Sequence, residues 1–172
     1  MLRWLEFAWC ANTKKLEKEL NKNNSSYSYK SLLKLLINVV INPFIEKHKD
    51  KLEPLLFNKL TEIDNGDYQG TIIFIIPNDT YQPSLNDYYV TYVSYGSCSS
   101  CDTLQSANEY PKKETRVLAY KEICLHMLQN MTKLGGLEGS IDEAFNLELK
   151  EKLYRKMMKE AEKGIPNDGT EP

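Results

Sequence analysis

Two short strand-like segments in the middle of the chain constrain its fold more than any other feature. The first, TIIFIIP at 71–77, is a run of β-branched and aromatic residues that a proline closes, and its continuous apolar character is typical of a central strand. The second, YYVTYVSY at 88–95, has the same high β-propensity. Turn-forming residues separate the two segments. The sequence therefore predicts an antiparallel hairpin with a long connection, and a short third strand near residues 60–64.

Helical patterns precede this hairpin. Residues 2–22 place apolar side chains near helical spacing, and residues 29–42 are apolar around most of the helix surface. Asn42-Pro43 predicts the end of this second helix, because proline disfavours helical geometry in the residue before it. A third helix is predicted over residues 44–60, with Pro54 as a kink or a break.

Further helical patterns follow the hairpin. Residues 114–134 predict a helix that two glycines stop, and a capping-box pattern at 140–143 opens a last helix through about residue 163. The order of helices, hairpin and helices predicts an α+β fold, in which a small antiparallel hairpin or sheet (about residues 61–95) packs against N-terminal and C-terminal helices. The length of 172 residues suits a single domain over 1–163, with 164–172 as a flexible tail.

The charge and hydropathy of the chain disfavour two classes of function. Its 22 basic and 24 acidic side chains are mixed along the sequence and give a net charge of −2, whereas nucleic-acid-binding domains usually show a basic excess or stripe. The longest apolar stretch, LLKLLINVVINPFI, is too short and too polar to span a bilayer unaided. With no secretory signal pattern, a reducing intracellular setting is expected.

The sharpest motif is YGSCSSCD at 95–102, which places Cys98 and Cys101 three positions apart after the second strand. Three interpretations stay open. The pair could be a redox couple at a helix start, or two ligands of a zinc site, or two small semi-buried residues in a tight turn, and the last carries the most weight. Further zinc ligands would come from a scattered set: Cys124, His126, Cys10, His48 and Asp102.

A second candidate site consists of polar and aromatic residues around the hairpin. We expect them to converge at one end of the sheet beside the cysteine loop, since function concentrates on loops that a rigid scaffold holds. Such a cluster suits a polar binding pocket or a carboxylate site for a divalent ion. Turn chemistry and tyrosine packing across strands would explain the same residues. The set is Asp64, Asp67, Tyr68, Gln69, Tyr81, Gln82, Asp87 and Asp102.

Two stretches, IDNGDYQGTIIFIIPNDTYQPSLNDYYVTYV and YGSCSSCDTLQ, resemble a family of proteins of tailed phages and bacterial prophages that has no established activity. Its members carry a GDYQG-type turn followed by a YGSCSGCDTLQ-type segment. The resemblance covers about residues 63–105, and Ser100 departs from the glycine usual at that position. It implies a phage or prophage origin, and therefore a bacterial cytoplasm or a virion as the location.

Together these observations favour a phage-type accessory protein that works by binding a host or phage protein through the hairpin loops and the Cys-x-x-Cys turn. The sequence has no nucleophile–base pairing, phosphate-binding glycine loop or metalloprotease helix motif. A metal- or thiol-dependent enzyme centred on Cys98, Cys101 and the nearby aspartates is the alternative from another class, and a structural virion component is a third. The apolar helix at 29–42 suits a homo-oligomer interface as well as a core.

Overall fold

The computed structural model describes residues 2–22, 25–64, 66–81, 83–98, 102–110 and 112–136. Apart from Gly136, these residues belong to one compact unit, Met1–Gly135, and a second unit spans Gly136–Pro172. The predicted last helix at 140–163, the domain boundary after residue 163 and the tail at 164–172 lie outside the described residues and stay predictions.

A four-stranded antiparallel sheet occupies the middle of the described chain and follows the order of the sequence, β1-β2-β3-β4. In the register, Asp64 faces Ile72 and Ile72 faces Val93, while Gly70 faces Tyr95. The predicted hairpin and the predicted strand near 60–64 are confirmed, whereas the two-residue fourth strand was not predicted. The strands are β1 (Thr61–Asp64), β2 (Gly70–Pro77), β3 (Tyr88–Tyr95) and β4 (Thr132–Lys133).

Helices before and after the hairpin complete the α+β fold that the sequence predicts. Ser28 opens the second of them, because its side chain accepts a hydrogen bond from Ser31 N–H while Ser31 Oγ accepts one from Ser28 N–H. Short 3₁₀ turns lie at Glu46–His48, Phe57–Lys59, Leu85–Asp87 and Leu134–Gly136. The α-helices are α1 (Arg3–Lys22), α2 (Tyr29–Leu36), α3 (Asn42–Ile45), α4 (Thr103–Glu109) and α5 (Lys113–Gln129).

The predicted helix end at Asn42-Pro43 is wrong, because a π-helical segment, Ile37–Ile41, joins α2 to α3. In this segment Asn42 N–H bonds to Ile37 O, five residues back. Proline has no N–H and its ring clashes with the carbonyl four residues before it. A wider turn relieves that clash, and the chain continues as a helix through Pro43.

The predicted third helix over residues 44–60 is also wrong. Its first residues are helical, in α3 and the 3₁₀ turn after it, and the remainder contains only the separate 3₁₀ turn Phe57–Lys59. Residues 46–51 are all exposed, so this stretch offers no apolar face that would bury a longer helix against the sheet.

The main core lies between the helices and one face of the sheet. Large side chains from α1, α2, α5 and the sheet are fully buried there, among them Leu16, Leu33, Phe74 and Leu128. Glu17 on α1 and Lys121 on α5 form an ion pair of 3.1 Å across the surface of this packing. Segments about a hundred residues apart therefore share one core.

Two buried polar side chains in the core satisfy backbone carbonyls. Asn12 on α1 is 3% exposed, and its Nδ2 donates to Val40 O of the π-helical segment at 3.0 Å. Thr91 on β3 is fully buried, and its Oγ1 donates to Met127 O of α5 at 2.6 Å. Each contact fixes one helix relative to its neighbour, since a buried carbonyl without a partner is costly.

Asn42 attaches the chain after α3 to the end of the sheet. Its side chain makes two hydrogen bonds to one residue, from Nδ2 to Leu55 O at 3.0 Å and from Leu55 N–H to Oδ1 at 2.9 Å. The next residue, Leu56, donates its N–H to Pro77 O at the end of β2. One amide side chain therefore couples the helix to the hairpin.

In the described chain, no helix is both long enough and apolar enough to cross a bilayer.

Candidate functional site

A solvent-open groove of about 550 Å³ lies beside the β1–β2 turn. The first turn of α2 and the start of α4 form its helical side, and β1 with the β1–β2 turn forms the other. Ile72 and Tyr95 reach it from β2 and β3. The lining residues are Ser28, Tyr29, Lys30, Glu62, Asp64, Gly66, Asp67, Ile72, Tyr95, Asp102, Leu104, Gln105 and Asn108.

The β1–β2 turn is held by Asp64 and Tyr95. Tyr95 Oη lies 2.8 Å from both Asp64 Oδ1 and Gly66 O, so its hydroxyl donates to one of these two acceptors at a time. Gly66 N–H also donates to Asp64 Oδ1 at 3.2 Å. A Cβ atom at position 66 would overlap Gln69 O, so the close approach of the backbone requires glycine there.

Asp102 anchors the opposite side of the groove. It is the N-cap of α4, where its Oδ1 accepts from Leu104 N–H at 2.8 Å and from Gln105 N–H at 2.9 Å. The buried hydroxyl of Tyr29, from α2, donates to the same oxygen at 3.0 Å. Asp102 N–H in turn bonds to Cys98 O at 2.8 Å. Cys98, α2 and α4 therefore meet at one residue, Asp102.

The groove has an acidic lining. Four carboxylates face it, from Glu62, Asp64, Asp67 and Asp102, against the single ammonium group of Lys30. Lys30 Nζ forms an ion pair with Glu62 Oε2 at 2.8 Å, and no other ion pair lies among the described lining residues. A positive group that enters the groove would meet the net negative potential of this lining.

Five of the eight predicted binding residues line this groove or lie in its flanking turn. Asp64, Asp67 and Asp102 line it. Tyr68 and Gln69 are exposed in the turn beside it, and Tyr68 is 84% exposed. Their role in binding stays a prediction.

The expected convergence is wrong for Tyr81 and Asp87. In the antiparallel pairing of β2 with β3, Gly70 faces Tyr95 at one end and Pro77 faces Tyr88 at the other. The loop between Pro77 and Tyr88 therefore lies at the opposite end of the sheet from the β1–β2 turn. Tyr81 is 97% exposed in that loop, and Asp87 accepts hydrogen bonds from Ser84. Gln82 lies outside the described residues.

Sequence reasoning missed ten of the thirteen lining residues that the structure describes, among them the charged and aromatic side chains of Tyr29, Lys30, Glu62 and Tyr95. Glu62 had a usable signal, because residues two apart in a strand point to the same face, which places it beside Asp64. Tyr95 carried a similar signal as the last residue of β3, next to the cysteine motif. Tyr29 and Lys30 had none, because only tertiary packing brings α2 to this end of the sheet.

Cys98 is half-buried, and Cys101 lies outside the described residues, so the redox and zinc hypotheses for the pair stay predictions. Within the described part of the chain, no group of three His, Cys, Asp or Glu side chains could hold a metal ion. Cys124 lies in the core, where burial raises the pKa of its thiol. His48 and His126 are exposed on their helices.

Buried hydroxyls make the fold sensitive to alkaline pH. Burial, and then the neighbouring Asp102, raise the pKa of Tyr29, and burial also raises the pKa of Tyr89 and of Tyr120. A raised pKa in the folded state contributes stability that is present below the unfolded value of about 10 and is lost as the pH rises through the folded value. We expect the free energy of unfolding to fall from about pH 10 upward.

Urea unfolding between about pH 8 and about pH 11 tests this expectation on the wild type and on Tyr29→Phe. The variant should lose less stability across this range, because it lacks the hydroxyl with the largest shift. Tyr68→Phe, which changes an exposed ring, serves as the control and should follow the wild type. If the free energy of unfolding of wild type and Tyr29→Phe falls equally with pH, the Tyr29 hydroxyl does not cause the alkaline sensitivity.

Comparison with known proteins adds no relative: no protein-family model matches this chain, and no curated protein and no solved structure matches it. The function is therefore argued from the groove.

Proposed function

We propose that this protein is a protein-binding module and that the groove beside the β1–β2 turn binds a basic segment of its partner. The observation that carries the proposal is the acidic lining, with four carboxylates and one lysine around about 550 Å³ of open space. That volume is in the range of binding pockets and admits a few side chains at once. Charge complementarity of this kind guides association and selects between partners.

The aromatic residues around the groove support a protein as the partner. Tyr29 and Tyr95 line it, and Tyr68 is 84% exposed in the adjoining turn. Tyrosine combines a large apolar surface with a polar tip, and it is enriched where proteins bind one another. Lysine and arginine side chains can stack on such rings while their charges reach the carboxylates.

The wider setting rests on the resemblance to phage and prophage proteins. That origin makes a host or phage protein the partner and an infected bacterial cytoplasm, or a virion, the location. Cys98 would then help to position the binding site rather than carry out chemistry, because its carbonyl accepts the N–H of Asp102, the N-cap of α4.

A titration with a defined peptide tests the proposal. The probe is a capped hexapeptide of alternating lysine and threonine, followed by ¹H–¹⁵N NMR at low ionic strength, where surface charges are least screened. We expect amide shifts at the β1–β2 turn and the start of α4. Asp67→Lys should weaken binding about tenfold, because it reverses an exposed charge in the groove.

The matched control is Asp79→Lys, which makes the same change of charge at an exposed aspartate at the other end of the sheet. It should leave the affinity within about twofold of the wild type. Equal weakening by both variants, or peptide shifts spread over the whole surface, would show only unspecific attraction and would overturn the proposal.

A further inference from the structure

The edge of the sheet that β1 forms borders the groove. β1 is the first strand in the order β1-β2-β3-β4, and β2 is its only strand neighbour in the described chain. An edge strand of this kind is a template on which an extended peptide can add a further strand through main-chain hydrogen bonds. Glu62 and Asp64 are both on β1 and both line the groove.

We propose that the partner segment binds as an added strand along β1, with basic side chains at alternate positions. This inference rests on the proposed function and names the form and the sequence pattern of the bound segment. Residues two apart in the added strand would stand opposite Glu62 and Asp64 and point into the groove, because side chains in paired strands alternate between faces in step.

The charges of β1 favour a basic strand at this edge over a second copy of β1 or an apolar strand. A second copy of β1 would bring its own Glu62 and Asp64 against the same carboxylates, and like charges placed opposite each other are destabilising. An apolar strand would screen these carboxylates from water and add no partner to the Lys30 and Tyr95 contacts that they already have, which is costly. A strand with lysine or arginine at positions i and i+2 gains an ion pair at Asp64 and places a second cation beside Glu62, so the edge disfavours self-association and accepts a basic segment.

The groove continues the surface on which those side chains would lie. Asp64 stands beside Ile72 in the register, and Tyr95 lies next to the β1–β2 turn. A basic side chain opposite Asp64 would therefore meet the Asp64 carboxylate first, with Ile72 and Tyr95 one and two strands further along the same surface. A long basic side chain that leans over Asp64 can reach this mixed acidic and apolar surface.

Backbone N-methylation of the same hexapeptide separates strand addition from simple charge attraction. In a strand, alternate N–H groups point to the same side, so three derivatives are compared: one methylated on every lysine, one on every threonine, and one on all six residues. We expect one half-methylated peptide to bind like the parent and the other to bind at least tenfold more weakly, since it loses two or three main-chain hydrogen bonds. The fully methylated peptide should lose binding.

Hydrogen exchange provides the readout on the protein. The β1 amides that do not bond to β2 should exchange more slowly when the parent peptide is bound, and this protection should vanish with the fully methylated peptide. Equal binding of all four peptides would overturn strand addition and leave the acidic groove as the binding site. Failure of the parent peptide itself to bind would overturn the proposed function and this inference with it.

Discussion

Asn42→Ala should lower the free energy of unfolding by about 2–4 kcal/mol, because it leaves the N–H and C=O groups of Leu55 without partners in a buried position. Leu55 is 2% exposed, and the Asn42 side chain satisfies both of its backbone groups. The loss would also loosen the neighbouring bond from Leu56 N–H to Pro77 O. Urea or guanidinium unfolding measures the change as a lower midpoint with an unchanged slope.

Asn38→Ala is the matched control. Asn38 is exposed in the π-helical segment that precedes Asn42, so the same substitution there removes an amide without a buried partner. Its effect should stay within about 0.5 kcal/mol. If the two variants unfold at the same denaturant concentration, the hydrogen bonds between Asn42 and Leu55 contribute nothing to the free energy of unfolding.

Asp102→Ala should cost about 2–4 kcal/mol, because one carboxylate oxygen both caps α4 and accepts the buried Tyr29 hydroxyl. Loss of an N-cap alone costs about 0.5–2 kcal/mol, and loss of a hydrogen bond to a charged group adds about 1.5–3 kcal/mol. Asp102→Asn keeps an amide oxygen that can accept both contacts, so it should retain most of the stability.

A double-mutant cycle of Asp102→Ala with Tyr29→Phe isolates the contact between the two side chains. We expect the effects of the two single variants to overlap by about 1–2 kcal/mol, because each removes the same hydrogen bond. Additive effects would mean that Tyr29 and Asp102 contribute to stability independently. Asp102→Ala should also alter the amide shifts of α4, since the helix loses its cap.

Most of the sheet could be predicted because its longer strands have local signals. The β-branched runs of β2 and β3 and the turn residues between them define both strands and their pairing within the sequence itself. β4 has only two residues and no pattern of its own, and it pairs with β3 because α5 delivers it there. Short strands of this kind depend on tertiary placement, which local sequence does not encode.

The wrong prediction of a helix end at Asn42-Pro43 has a physical origin. Proline usually ends a helix, and the sequence around Asn42 carries no mark of the wider turn that accommodates it. The π-helical segment is stabilised from outside, since the carbonyl of Val40 receives its hydrogen bond from Asn12 on α1. A contact with a residue 28 positions away lies outside any local pattern.

Three of the thirteen described lining residues, Asp64, Asp67 and Asp102, could be predicted, and topology explains why Tyr81 and Asp87 lie elsewhere. Asp64 and Asp67 precede β2 while Tyr81 and Asp87 follow it, and the two ends of one antiparallel strand lie at opposite edges of the sheet. The pairing of β2 with β3, which the sequence does predict, was enough to separate these residues. The contribution of Tyr29 was out of reach, because 73 residues separate it from Asp102.

The packing of α1 against α5 has a consequence for how the chain folds during synthesis. α1 can pair early with the helix from Tyr29 to Ile45, because only a short connection separates them. Its contact with α5 must wait until about a hundred further residues have been made, which takes roughly 5–20 s at ribosomal rates of about 5–20 residues per second. During that interval part of its apolar stripe has no partner, so α1 would offer exposed leucines to chaperones that bind a nascent chain.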